Sequence, residues 1–157
     1  MIFVTVGTQL AFDRLVGQID AWAAQSGEEV FAQVGPTEQK FDHLESVAFM
    51  DPVEADRLMR EADIIIAHAG MGTILSALGY GTPLLVLPRR SDLGEHRNDH
   101  QVATARRLEE RGLVTVAWNH EELDVHLRHL SDLKAGPEIS GHASPELLAA
   151  VKDFLQG

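Results

Sequence analysis

The chain has 157 residues, with 13 Lys or Arg against 24 Asp or Glu, for a formal charge of −11. Hydrophobic residues at 45% and charged residues at 24% are ordinary globular proportions, which argues against disorder, and the length suits one domain over residues 1–157. With no cysteine the chain cannot carry a disulfide scaffold, a thiolate metal site or a cysteine nucleophile, and its acidic balance disfavours nucleic acid and anionic lipid as direct partners.

No apolar run approaches the roughly 20 residues that span a bilayer. The opening MIFVTVGT has no basic stretch ahead of its short apolar run, so it does not read as a signal peptide. The expectation is a soluble cytoplasmic protein.

Residues 2–6 are an apolar, β-branched run that stops at Gly7, the pattern of a strand buried on both faces. From Phe12 the period becomes helical, with Phe12, Leu15, Val16, Ile19 and Trp22 on one face. Val30–Val34 is a second strand, closed by Gly35-Pro36, and Ser46–Met50 a third. Asp51-Pro52 reads as an N-cap followed by proline at the first helical position, starting a helix that runs to about Ala62.

Asp63–Ala67, with its triple isoleucine, is the clearest strand. It leads into His68-Ala-Gly-Met-Gly-Thr73 and a helix from about Thr73 to Tyr80, closed by Gly81. Leu84–Leu87 is another buried strand, ended by Pro88. A polar stretch from Arg89 to Asn98 precedes a helix from about Asp99 to Arg111, and Leu113–Ala117 is a further strand. Helices are expected over His120–Leu130 and over Ser144–Leu155, the latter signalled by Ser144-Pro145-Glu146 and preceded by a loose segment around Gly136–His142. A C-terminal helix thus falls within residues 144–157. His120, His126 and His129 lie in a polar helix and read as surface.

Strands and helices alternate and the strands are continuous apolar runs, so the fold class is α/β, a parallel sheet with helices on both faces. In such sheets ligands bind beyond the carboxyl ends of the strands, which singles out three loops. Gly7-Thr8-Gln9 joins a strand to a helix, where free amides and a glycine suit a phosphate; the competing reading is a tight turn. It is neither a Walker loop nor the GxGxxG dinucleotide fingerprint.

His68–Thr73 offers two glycines, a helix start and a hydroxyl. The alternative is that Gly70 and Gly72 relieve crowding and that His68 is structural. At Gly70 or Gly72 a side chain would block backbone approach and could demand a positive φ. Arg89-Arg90 places cations at a strand mouth in an acidic chain, which suggests an anionic ligand; side chains alternate along an extended segment, so one of the two should face it. Glu95, Asn98, His100 and Gln101 carry groups suited to sugar hydroxyls. His96 and His100 lack an obvious third ligand, so a metal is not expected.

Together these loops resemble the C-terminal, donor-binding half of glycosyltransferase family 28. The resemblance runs from Met1 to about Val116. It rests on MIFVTVGTQLAFDRLV, on ADIIIAHAGMGTILSALGYGTPLLVLPR, and on GEHRNDHQ followed by a helix and Gly112. It is nearest to the small subunit of bacterial two-subunit exopolysaccharide glycosyltransferases, and is similar also to the soluble subunit of the dolichol-linked N-acetylglucosaminyltransferase.

The resemblance implies a Rossmann-like domain, the C-terminal half of a GT-B enzyme. It implies a UDP-sugar donor and no cofactor, with a membrane-anchored partner subunit that binds a lipid-linked saccharide acceptor at the inner face of the membrane. It also implies direct displacement with inversion.

By position, the resemblance places Gly7, Thr8 and Gln9 at the diphosphate and His68, Ala69, Gly70, Met71, Gly72 and Thr73 under diphosphate and sugar. Pro88 and Arg89 fall at the base pocket or its rim, and His100 and Gln101 at the sugar hydroxyls with Glu95 and Asn98 beside them. The general base falls to the partner or to His96 or His100. One departure stands out: Ser76 occupies the position where the family usually carries a ribose-binding glutamate, which favours as alternative a non-catalytic accessory subunit. A nucleotide-sugar epimerase half-domain is a third, weaker reading. The family's glucuronosyltransferases, together with Arg89 and Arg90, lean the donor toward UDP-glucuronate.

Overall fold

The apolar runs become strands that share one sheet. In the computed structural model, which describes residues 1–133, the elements are β1 (Ile2–Thr5), α1 (Asp13–Ser26), β2 (Val30–Gln33), β3 (Glu45–Val47), α2 (Pro52–Glu61), β4 (Ile64–His68), α3 (Met71–Tyr80), β5 (Leu84–Leu87), α4 (His100–Glu110), β6 (Thr115–Val116) and α5 (His120–Arg128). Short 3₁₀ turns occupy Ser91–Leu93 and Leu130–Asp132. The helix expected over Ser144–Leu155 lies outside the described residues. None of the described helices is long and apolar enough to cross a membrane.

All six strands are parallel, in the order β3-β2-β1-β4-β5-β6. This is the strand order of Rossmann folds, and it reverses direction between β1 and β4. In register, Ile2 pairs with Val30 on one side and Ile64 on the other, and Thr5 with Gln33 and Ala67. The crevice at the reversal therefore opens between the loop after β1 and the loop after β4.

Side chains alternate across the pleat, which divides the core into two layers. Ile2, Val4, Val6 and Ile66 pack with Leu15, Val16 and Ile19 of α1 and Leu123 and Leu127 of α5. Phe3, Ile65 and Ala67 pack with Leu58 of α2, Ile74 and Ala77 of α3 and Leu108 of α4. Helices on both faces explain why the central strands read as unbroken apolar runs.

Two strands differ from expectation by more than one residue at an end. The third spans Glu45–Val47 rather than Ser46–Met50, and its residues are exposed or half-buried because it is the sheet edge, paired on one side only. The sixth shrinks from Leu113–Ala117 to Thr115–Val116, paired only with β5. The Asp51 cap forms as expected, its side chain accepting a hydrogen bond from Val53 N–H. Gly27 and Gly81 end α1 and α3 in the left-handed conformation.

Gln33 is the polar exception in a buried strand. Its Oε1 accepts from Thr5 Oγ1 at 2.8 Å and from Val6 N at 3.3 Å, while its Nε2 donates to the carbonyls of Gly7 and Ala48, each at 2.8 Å. One amide thereby fastens the start of the β1–α1 loop to its neighbours. Gln33→Met keeps the length of the side chain but leaves these groups without their partner, and should lower unfolding free energy by roughly 2 kcal/mol or more. Urea denaturation of the two chains measures it.

Candidate functional site

The β1–α1, β4–α3 and β5–α4 loops meet at the carboxyl edge, and the side chain that joins them is Arg89. It lies just beyond β5 and is 2% exposed. Its Nη2 donates to the carbonyls of Val6 (2.6 Å) and Leu10 (2.7 Å), and its Nη1 to those of Ala11 (2.7 Å) and Glu95 (3.3 Å). Its Nε faces His68 Nδ1 at 3.4 Å. All five guanidinium N–H groups thus have acceptors, and the plane also sits 4.7 Å from the centroid of the buried Phe12 ring.

Arg14 adds a second tie. It grips both carboxylate oxygens of Glu95 at 2.8 Å and reaches the Pro88 carbonyl at 3.2 Å. Glu95 Oε1 also accepts from Arg90 N–H at 3.0 Å.

These contacts correct several expectations. Arg89 is turned into the loops with its donors spent on their carbonyls and His68, and Arg90 turns outward and pairs with Asp92 at 2.6 Å. The argument for a sugar carboxylate, and with it UDP-glucuronate, loses its basis. Glu95 is turned inward, and its carboxylate is taken by Arg14.

Gln101 is buried, its Oε1 accepting from the amides of Ala69 and Arg89, each at 3.2 Å. Neither Glu95 nor Gln101 reaches outward for a sugar hydroxyl. Pro88 is buried as well, and forms one wall of a groove of about 320 Å³ with Arg90, Asp92, Asp99, Val102 and Trp118. Gly70 and Gly72 have no positive φ; among the site glycines only Gly7 and Gly94 do.

The open part of the site is formed by backbone and one imidazole. Thr8 and Gln9 are exposed and Gly7 is half-buried at φ +79°. Gly70 precedes α3, and no side chain caps that helix. The amides of Met71, Gly72 and Thr73 have no acceptor among the described residues, as the first turn of a helix requires.

His68, at the end of β4, packs between the two loops. A β-carbon added at Gly7 would stand 2.8 Å from its Cε1 and 3.0 Å from its Nε2, and one added at Gly70 would stand 2.5 Å from each. At Gly72 an added β-carbon meets nothing within 4 Å. So Gly7 and Gly70 make room for the imidazole, whereas Gly72 leaves open space at the helix start.

Burial, the Arg89 charge and then His96 push the His68 imidazole down to about 3, so it is neutral at ordinary pH. Asn98 and His100 are exposed at the rim, and His96 is half-buried. Ser76 is half-buried in the second turn of α3. Among the described residues no group of three or more His, Cys, Asp or Glu could hold a metal ion.

The positioning roles of Gln33 and Arg14 escape a reading by motif. Gln33 carries one signal, a long amide inside the apolar run Val30–Val34; Arg14 carries none, being a helix arginine like many others.

The profile of the glycosyltransferase family 28 C-terminal domain matches residues 1–152. The UDP-N-acetylglucosamine transferase subunit ALG13 of Mus musculus is 30% identical over 123 residues, covering 70% of this chain and 10% of its own. The Homo sapiens subunit is 29% identical over 124 residues, covering 71% and 10%. The chain thus spans about a tenth of the length of these curated relatives.

Among solved structures, the NMR structure of ALG13 is similar with a TM-score of 0.64 at 20% identity, covering 99% of this chain and 96% of that one. MurG of Acinetobacter baumannii gives 0.65 at 21% identity, covering 98% of this chain and 49% of that one. Os79 of O. sativa, solved in complex with UDP, gives 0.59 at 16% identity, covering 98% and 35%. These likenesses show the fold, one Rossmann-like half of a GT-B glycosyltransferase.

The neutral His68 makes a prediction about acid stability. Its folded value lies near 3 against 6.5 unperturbed, so between those limits the unfolded chain binds the extra proton and stability falls as pH falls. His68→Gln removes this contribution. The stability advantage of the natural chain over the variant should therefore shrink by up to about 1.4 kcal/mol per pH unit on going below 6.5. Urea midpoints of both chains at pH about 7 and about 5 test it; a constant difference would show that the imidazole charges freely.

Proposed function

Because the chain belongs to the glycosyltransferase family 28 C-terminal domain family, we propose that it is the donor-binding part of a glycosyltransferase that uses a UDP-sugar. The observation that carries this reading is the cradle at the sheet reversal. There the Gly7–Gln9 turn, with Thr8 and Gln9 exposed, the open amides of Met71, Gly72 and Thr73, and the His68 imidazole converge. A helix start and a glycine turn facing one gap suit a diphosphate, whose charge the amides and the dipole of α3 offset.

In this reading Arg89, Glu95, Gln101 and Pro88 shape the loops, while Thr8, Gln9, Met71, Thr73, Ser76, Asn98 and His100 meet the ligand. Ala69 is buried and sits beneath the cradle. Catalysis acts mainly on the leaving group: the acceptor hydroxyl oxygen bonds to the anomeric carbon with inversion as its bond to UDP breaks, and the cradle stabilises the charge that develops on the departing UDP. The acceptor hydroxyl needs a general base, for which His96 and His100 are this chain's candidates.

The name of the ALG13 relatives, a transferase subunit, supports a two-chain arrangement in which a partner supplies the acceptor half. We propose that this partner carries the membrane anchor. It would hold a polyprenyl-diphosphate-linked saccharide at the inner face, in exopolysaccharide synthesis. Ser76 favours a second reading, in which the chain binds the nucleotide sugar but serves as an accessory to a catalytic partner. Transfer by the reconstituted pair, with and without this chain, separates the two.

The open space at Gly72 allows a clean test of the cradle. A β-carbon there meets nothing within 4 Å outside its own helix backbone and chain neighbours, so Gly72→Val should fold with a melting temperature close to that of the natural chain. By filling the gap at the α3 start it should weaken UDP binding tenfold or more, the loss expected when charge-assisted hydrogen bonds are broken. Calorimetric titration with UDP reads it, and unchanged affinity in the folded variant would show that the loop is only structural.

A further inference from the structure

We infer that Gln101 and Arg89 are positioning residues that set the tautomer of His68, holding its Nδ1 as a hydrogen-bond acceptor so that Nε2 carries the proton and donates toward the cradle. The inference rests on the diphosphate reading of the cradle for its consequence, but not for its geometry.

Two backbone amides fix which way the Gln101 side chain points. The N–H groups of Ala69 and Arg89 can only donate, and both point at one end of the Gln101 side chain at 3.2 Å. That end must be the carbonyl oxygen, which settles the orientation of the amide. The other end, the NH₂ group, then lies 3.1 Å from His68 Nδ1. The second group at Nδ1 is Arg89 Nε–H, at 3.4 Å, again a donor only.

Two donors facing one ring nitrogen require a lone pair there. Neutral imidazole keeps a single N–H, which therefore sits on Nε2. The edge of the ring that carries Nε2 lies against Gly7 and Gly70, and among the described residues Nε2 has no hydrogen-bond partner. A chain of donor and acceptor assignments thus runs from two buried amides, through Gln101, to one unspent N–H at the place proposed for an anion.

The charges around His68 act in the same direction. Arg89 from the β5–α4 loop and His96 from the same loop both disfavour a second proton on the ring. Glu95 of that loop is turned to Arg14 and Arg90 N–H. The result is a donor that needs no proton uptake to bind an anion.

Gln101→Glu tests the device because it reverses the demand at Nδ1 while keeping the side chain's size. One carboxylate oxygen can still accept from Ala69 and Arg89, but the other now faces Nδ1 and calls for an N–H there. The neutral ring then presents a lone pair at Nε2, and only the imidazolium restores the donor. The first measurement is the two-bond ¹H–¹⁵N correlation spectrum of His68 in the natural chain without ligand. The Nε2–H pattern is expected, and the Nδ1–H pattern would overturn the inference whatever the chain binds.

The second measurement is affinity for UDP-N-acetylglucosamine, whose diphosphate diester does not titrate in this range, across about pH 6–9. The ratio of variant to natural dissociation constants removes what His96 and His100 contribute to both chains. It should rise about tenfold or more with pH as the variant's imidazolium is lost. A ratio that does not change with pH would overturn the inference. If the natural chain shows the Nε2–H pattern yet binds no UDP-sugar or UDP, the donor-site reading fails and the tautomer assignment stands. The spectrum of the natural chain needs no variant, so a Gln101→Glu chain that does not fold leaves that test decisive.

Discussion

Everything at the carboxyl edge depends on one buried guanidinium. Arg89 touches the β1–α1 loop, the β4 histidine and the β5–α4 loop at once, through four carbonyls and one imidazole nitrogen. Burying a cation is costly unless its donors are satisfied, and here each N–H meets an acceptor, four of them carbonyls outside the helices and strands. The loops are short of regular structure, so their carbonyls need such a partner. Arginine suits the task because its donors form a rigid planar fork; a lysine has neither the number nor the geometry.

A consequence follows for the electrostatics of an acidic chain. Beneath the loops, Arg14 and Arg89 stand against the single carboxylate of Glu95, which leaves the floor of the edge with one more cation than anion while the chain as a whole carries −11. The cations do not reach the open face; their side chains are spent on carbonyls and on Glu95. What the α3 start and His68 present is neutral and polar: open amides and an uncharged imidazole. Oriented dipoles over a buried positive charge suit an anion.

The sheet places this chemistry where half of a cleft would be. Reversal of strand order between β1 and β4 separates the helices that follow these strands to opposite faces and opens a crevice between their loops. Four of the exposed large apolar side chains, Leu10, Phe49, Val53 and Leu93, lie on or just beyond loops that follow β1, β3 and β5 at the same edge.

The alternation of apolar runs with 3.6-period helices was enough to determine an α/β parallel sheet and to put the loops after the first, fourth and fifth strands on one edge. These are local patterns, and a strand buried on both faces announces itself by composition alone. Which polar side chains of those loops turn outward was decided only by the tertiary structure. Arg89 and Arg90 are adjacent and chemically identical, yet one is buried and the other pairs with Asp92 at the surface. Glu95 and Gln101 read as groups for a sugar and turn out to serve Arg14, Arg90 N–H, Ala69 N–H and His68. The reason is that their partners are backbone groups and side chains brought from as far as 83 residues away. A hydrogen bond to a distant carbonyl leaves no trace in the spacing of residues, because the demand for it arises only once the loops have been packed against one another.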